Sequence, residues 1–138
     1  MLITVDAGNS NIKFAIFNVN GEMLSHISLP TNKKNPQFKE LKKILNKDTE
    51  FSGCAVSSVV PEINDALADE ILHYAGIKTV FINNLTANWL HYDYKKPDML
   101  GADRIANVLA AQKIAHAPAI VCDFGTATTF SCILNENE

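Results

Sequence analysis

Leu2-Ile3-Thr4-Val5-Asp6-Ala7-Gly8-Asn9-Ser10-Asn11-Ile12-Lys13-Phe14-Ala15-Ile16 decides the fold class. Residues 2–5 form an apolar strand that runs into Asp6-Ala7-Gly8-Asn9-Ser10, a run of turn formers. Beyond it Ile12, Phe14 and Ile16 alternate with Lys13 and Ala15 at the period of two that a half-buried strand requires. Asn20-Gly21 supplies a dipeptide suited to a tight hairpin turn, and residues 23–29 read as a third strand ended by Pro30. Three antiparallel strands therefore lead the chain.

Outward from this meander, strand and helix signals alternate. Phe38, Leu41, Ile44 and Leu45 stand at helical spacing, which predicts a helix over residues 36–45. A β-branched strand over 54–60 precedes Pro61, a residue suited to the first turn of a helix over 62–74 that Gly76 terminates. A strand at 79–82 leads into a long loop over 83–98 that carries Trp89, Tyr92 and Tyr94, and residues 101–116 read as a third helix. Residues 119–122 then form an apolar strand that enters Asp123-Phe124-Gly125-Thr126-Ala127-Thr128, with a returning strand over 129–134. The expected architecture is an α/β domain with a mixed sheet flanked by helices over residues 1–117. Residues 118–138 open a second, duplicated domain, because Asp-x-Gly recurs between two strands.

Composition bounds the function. The chain has 138 residues, 47% of them hydrophobic and 20% charged, which suits a globular protein with a core that buries ~70% of the unfolded chain's surface. Twelve Lys and Arg against fifteen Asp and Glu give a formal charge of -3, so no positive field favours nucleic acid or anionic lipid. Cys54, Cys122 and Cys132 lie in apolar stretches without metal-ligand spacing and are expected as buried thiols. No apolar run approaches the roughly 20 residues of a membrane span, and a cytoplasmic protein is expected.

An Asp at a strand end, followed by Gly and small hydroxyl or amide residues, sets backbone N–H groups around a turn where phosphate oxygens can sit. One such turn is ordinary hairpin chemistry; two of them suggest carboxylates that approach one nucleotide and its metal. Neither opens into a helix, and the chain has neither GxGxxG nor GxxxxGK[ST], so the phosphate site would be built from hairpins. Leu100-Gly101-Ala102-Asp103-Arg104-Ile105-Ala106-Asn107 adds a carboxylate and a guanidinium at a helix start, with Asp103 and Asn107 on one stripe. Spacing alone also allows Asp103 simply to favour the helix dipole. Trp89 and Tyr92 are expected to cover apolar surface.

Taken together, Asp6 to Lys13, Tyr94 with Pro97, Leu100 to Arg104, and Asp123 to Thr129 resemble the pattern of the type III pantothenate kinases in order and spacing. That family belongs to the actin and hexokinase superfamily, whose domains are ribonuclease H-like. The resemblance covers nearly the whole chain and implies the N-terminal part of such an enzyme, since its members continue for about as many residues again. It implies that Asp6, Ala7, Gly8, Asn9, Ser10, Asn11, Ile12, Lys13 and Thr126 contact ATP, and that Tyr94, Gly101, Ala102, Asp103 and Arg104 contact pantothenate. Asp103 would be the general base, Asp123 would hold a monovalent cation, potassium or ammonium, and Asp6 would lie near the magnesium of ATP. A homodimer is implied too. Two rival readings remain: a non-catalytic nucleotide-binding or regulatory domain derived from such a kinase, and a metal-dependent nuclease of ribonuclease H type, which the charge balance disfavours.

Overall fold

The computed structural model describes residues 1–46, 48–125 and 127–135. Its compact units are Met1–Phe81 and Ile82–Glu138, so the boundary expected after residue 117 falls inside the second unit.

In the first unit, β1 (Leu2–Ala7), β2 (Asn11–Phe17), β3 (Met23–Pro30), β4 (Gly53–Ser58) and β5 (Thr79–Phe81) form one sheet in the order β3-β2-β1-β4-β5. β1, β2 and β3 pair antiparallel, as their alternating pattern predicts, while β4 and β5 run parallel to β1. Parallel pairing needs a crossover, and α1 (Asn64–Ala75) supplies it between β4 and β5. Alternation decides what is buried. Ile3, Val5 and Ala7 share a face with Ile12, Phe14 and Ile16, and that face packs with Val56, Leu67 and Ile71 in the main core. This is the mixed sheet with helical flanks expected of the chain.

Two local expectations give way. Residues 36–45 form only a 3-10 turn, Lys39–Lys43. Phe38, Leu41 and Leu45 are still buried. A three-residue repeat seats Phe38 and Leu41 equally well, and so short a segment has little intrinsic helix stability to resist it. Asn20-Gly21 is likewise not a two-residue hairpin turn. Only Gly21 has positive φ, 82°, and the turn closes through Gly21 N to Asn18 O at 3.1 Å and Asn18 N to Glu22 O at 3.0 Å. The Asn18 side chain accepts from the amides of Asn20 and Glu22, an Asx turn that replaces the expected geometry. Gly76 ends α1 in the left-handed region, as expected.

The second unit contains α2 (Ala102–Ile114) and the antiparallel hairpin of β6 (Ala119–Phe124) and β7 (Thr128–Ile133). A small core of Ala87, Leu90 and Ile105 holds the loop before α2 against the helix, with Tyr92, Leu100 and Val108 around it. Tyr92 donates to the Ala87 carbonyl at 2.9 Å, and burial raises its pKa. Trp89 is 61% exposed. Val121, Asp123, Thr129 and Ser131 turn to the half-buried face of the hairpin, whereas Ile120, Cys122, Phe124, Phe130 and Cys132 share the exposed face. Only Cys54 among the three free thiols is therefore buried, because Cys122 and Cys132 fall on the outward phase of their strands. Among the described residues no helix is long and apolar enough to cross a membrane.

Candidate functional site

The first Asp-x-Gly turn is assembled from three strands of the first unit. Asp6 and Lys13 are directly opposite in the β1–β2 register, which brings Lys13 Nζ to 3.6 Å from Asp6 Oδ2. The pair is exposed, 68% and 54% by side chain, so both groups remain open to a ligand. Gly8 donates its amide to the Asn11 carbonyl at 3.0 Å, and a Cβ at Gly8 would stand 3.2 Å from that same oxygen, which favours glycine here. Thr31, just after β3, binds the turn from behind: its hydroxyl donates to the Gly8 carbonyl at 2.6 Å and its amide to the Ser10 carbonyl at 3.0 Å. Because a peptide unit is planar and trans, fixing the Gly8 carbonyl directs the Asn9 N–H to the opposite side. Lys33 donates to Asn9 Oδ1 at 3.0 Å and lies 3.8 Å from Glu62. The turn thus combines two lysines with a carboxylate and an oriented backbone amide, a set able to receive an anion together with its metal.

In the second unit α2 carries the remaining polar groups. Gly101 is its N-cap residue and Asp103 sits in its first turn, half-buried, accepting the Arg104 amide at 2.8 Å. Arg104 turns toward β7. Its Nε and Nη2 donate to Ser131 Oγ at 3.2 and 3.1 Å, and Nη2 donates to the Phe130 carbonyl at 2.8 Å. The guanidinium carbon also stands 5.9 Å from the centre of the Tyr94 ring, within cation–π range. A pocket of about 200 Å³ opens here, lined among others by Tyr92, Tyr94, Leu100, Arg104 and Ser131. Asp103, Gly101 and Ala102 do not line it. Asn107, one turn beyond Asp103, donates to Asp123 Oδ2 at 2.9 Å and so ties α2 to the end of β6.

The structure therefore brings Asp6 together with Lys13, and Tyr94 together with Arg104. It bonds Asp123 to Asn107, one turn along α2 from Asp103. Thr126 lies outside the described residues. Thr31, Lys33 and Ser131 were not singled out by sequence, because each reaches its partner from a distant strand or loop and leaves no spacing to read. Asn107 had a signal, its shared stripe with Asp103. Among the described residues no three His, Cys, Asp or Glu side chains gather into a metal-binding group.

Comparison with known proteins bears on this geometry. The family model described as type III pantothenate kinase matches residues 2–138. The type III pantothenate kinase of Roseiflexus sp. (strain RS-1) is 34% identical over 145 residues, covering 100% of this chain and 56% of the relative. That of Endomicrobium trichonymphae is 34% identical over 148 residues, covering 99% of this chain and 57% of the relative. The chain thus spans somewhat more than half the length of these relatives. A solved structure of the Aquifex aeolicus member of the Ppx/GppA family aligns with 98% of this chain and 47% of that one, at 13% identity and a TM-score of 0.48.

Proposed function

Because the chain belongs to the type III pantothenate kinase family, we infer that it carries the N-terminal part of an enzyme that transfers the γ-phosphoryl of ATP to the primary hydroxyl of pantothenate. The products are 4'-phosphopantothenate and ADP, at the start of coenzyme A synthesis. The family match supplies the reaction class. The observation that supports the site is that a single helix, α2, presents Asp103, a guanidinium fixed by Ser131 and Phe130, and an amide bonded to Asp123.

Phosphoryl transfer depends on positioning and charge stabilisation more than on covalent participation by the protein. The Asp6–Asn11 turn with Lys13 would hold the ATP phosphates, and Asp6, exposed beside Lys13, fits a position near their magnesium. Asp123 is half-buried and ion-paired with no described residue, which suits a potassium or ammonium ion. When bound, these cations would offset charge on the transferring group. Arg104, immobilised against β7, would bind an oxygen of the substrate in the pocket beside Tyr94. Asp103 would accept the hydroxyl proton as the new O–P bond forms and the bond to the β-phosphate oxygen breaks, contributing on the order of 100- to 10,000-fold. At about 200 Å³ the pocket falls below the roughly 300–1,000 Å³ usual for a complete ligand site, as expected if further chain, such as a dimer partner, completes it. That same observation favours the second reading, a nucleotide-binding or regulatory domain derived from such a kinase. A cytoplasmic location accords with this chemistry.

A coupled ADP-release assay with ATP, magnesium, potassium and pantothenate tests the reading. Pantothenate-dependent turnover that falls at least about 100-fold in Asp103→Asn supports the kinase. Nucleotide binding without turnover selects the binding domain, and the absence of both removes the proposal.

A further inference from the structure

Asp6 faces Lys13 and Asp103 accepts the Arg104 backbone amide, but among the described residues it is Asp123 that a neutral side chain holds. Its Oδ2 accepts the Asn107 amide at 2.9 Å, across from the second turn of α2. The chemistry of that anchor is informative. A lysine or arginine would neutralise the carboxylate, as Lys13 does for Asp6 at 3.6 Å. A primary amide is neutral: it fixes one oxygen and leaves the full negative charge in place. Among the described residues Asp123 has no ion pair, and it is half-buried on the hairpin face that meets α2. An uncompensated carboxylate oxygen is a hard donor suited to a cation. The two oxygens are therefore inequivalent, with Oδ2 held by protein and Oδ1 left for a ligand.

We propose that Asn107 is a positioning residue for a monovalent cation: by holding Oδ2 it aims Oδ1 of Asp123 at the ion. This rests on the reading of Asp123 as a cation ligand and adds the residue that orients it. Asn107 is also one helical turn from Asp103, so the same rigid helix sets the spacing between the proposed base and the cation site. Partners that orient a metal ligand characteristically contribute roughly 10- to 100-fold to metal affinity.

The test is the melting temperature of the chain titrated with potassium chloride against choline chloride at constant ionic strength. The unaltered protein should show a potassium-specific rise, and Asp123→Asn should lose it. Asn107→Ala should need roughly 10- to 100-fold more potassium for half of the rise and regain the full rise at saturation. A purely structural role for Asn107 would lower the melting temperature equally in both salts and leave the half-saturation point unmoved, which would overturn the proposal. No potassium-specific rise in the unaltered protein would instead remove the cation reading of Asp123, and this inference with it.

Discussion

The two Asp-x-Gly hairpins follow the same sequence pattern and occupy different physical environments. In the first, β1 and β2 lie inside a five-stranded sheet, Ile3, Val5, Ile12 and Phe14 are buried, and Asp6 faces Lys13 across the ladder. In the second, β6 and β7 form a two-stranded sheet among the described residues, Phe124 and Phe130 are 79% and 58% exposed, and Asp123 faces Thr129 while accepting from Asn107. A repeated motif therefore specifies a turn and the place of a carboxylate, while its surroundings decide whether that carboxylate is charge-compensated. In the proposed reading, the first hairpin would receive an anion that brings its own metal and the second a cation.

The widest separation, between the sheet that holds the first hairpin and the second hairpin itself, should be chemical. Burial pushes the Cys54 thiol up to about 12, whereas Cys122 and Cys132 are exposed on β6 and β7. At pH 8 a maleimide should modify Cys122 and Cys132 at least about 100-fold faster than Cys54, since the thiolate is the nucleophile. Equal labelling of all three, read by mass spectrometry, would contradict the difference in packing. The sign is fixed: raising the pH toward 12 should speed the Cys54 reaction most.

Packing should give the next largest contrast. Phe14, fully buried, meets Phe38 edge to face at 6.2 Å. Phe14→Ala should cost about 3–5 kcal/mol in chemical denaturation, while Phe130→Ala, which keeps the carbonyl that Arg104 binds, should cost about 0.5 kcal/mol or less. The glycines should differ by less. A Cβ at Gly8 meets the Asn11 carbonyl at 3.2 Å, but at Gly125 the nearest atoms are 3.7 and 3.8 Å away. Gly8→Ala should therefore cost about 1 kcal/mol and Gly125→Ala close to nothing. Least of all, Lys13→Ala should change stability by no more than about 0.5 kcal/mol, because its pair with Asp6 is solvent-exposed. A larger loss would show that the first hairpin needs the ion pair to fold and not to bind.

Much of this was legible in the sequence because period-two alternation is a local property. β1 and β2 follow directly from it, and so does the turn between them, whereas the register that sets Asp6 opposite Lys13 is seen in the structure. The Asp103–Asn107 stripe was equally readable from helical spacing. What escaped depends on partners far along the chain. Alternation shows that Cys122 and Phe130 share a face but not that the face stays uncovered, so the thiols were expected to be buried. Arg104 reaches Ser131 and Phe130 only because β7 returns beside α2. Residues 36–45 carry helical spacing, yet Phe38 and Leu41 are equally served by a tighter turn, and burial set that choice.

The central claim, that the two hairpins divide anion and cation binding, is tested most directly by calorimetric titration of the chain with magnesium ADP, with and without potassium. Lys13→Ala should weaken binding and leave its potassium dependence intact, while Asp123→Asn should abolish the potassium dependence. If both variants weaken binding alike in either salt, or the unaltered chain binds no nucleotide, the division of roles is wrong.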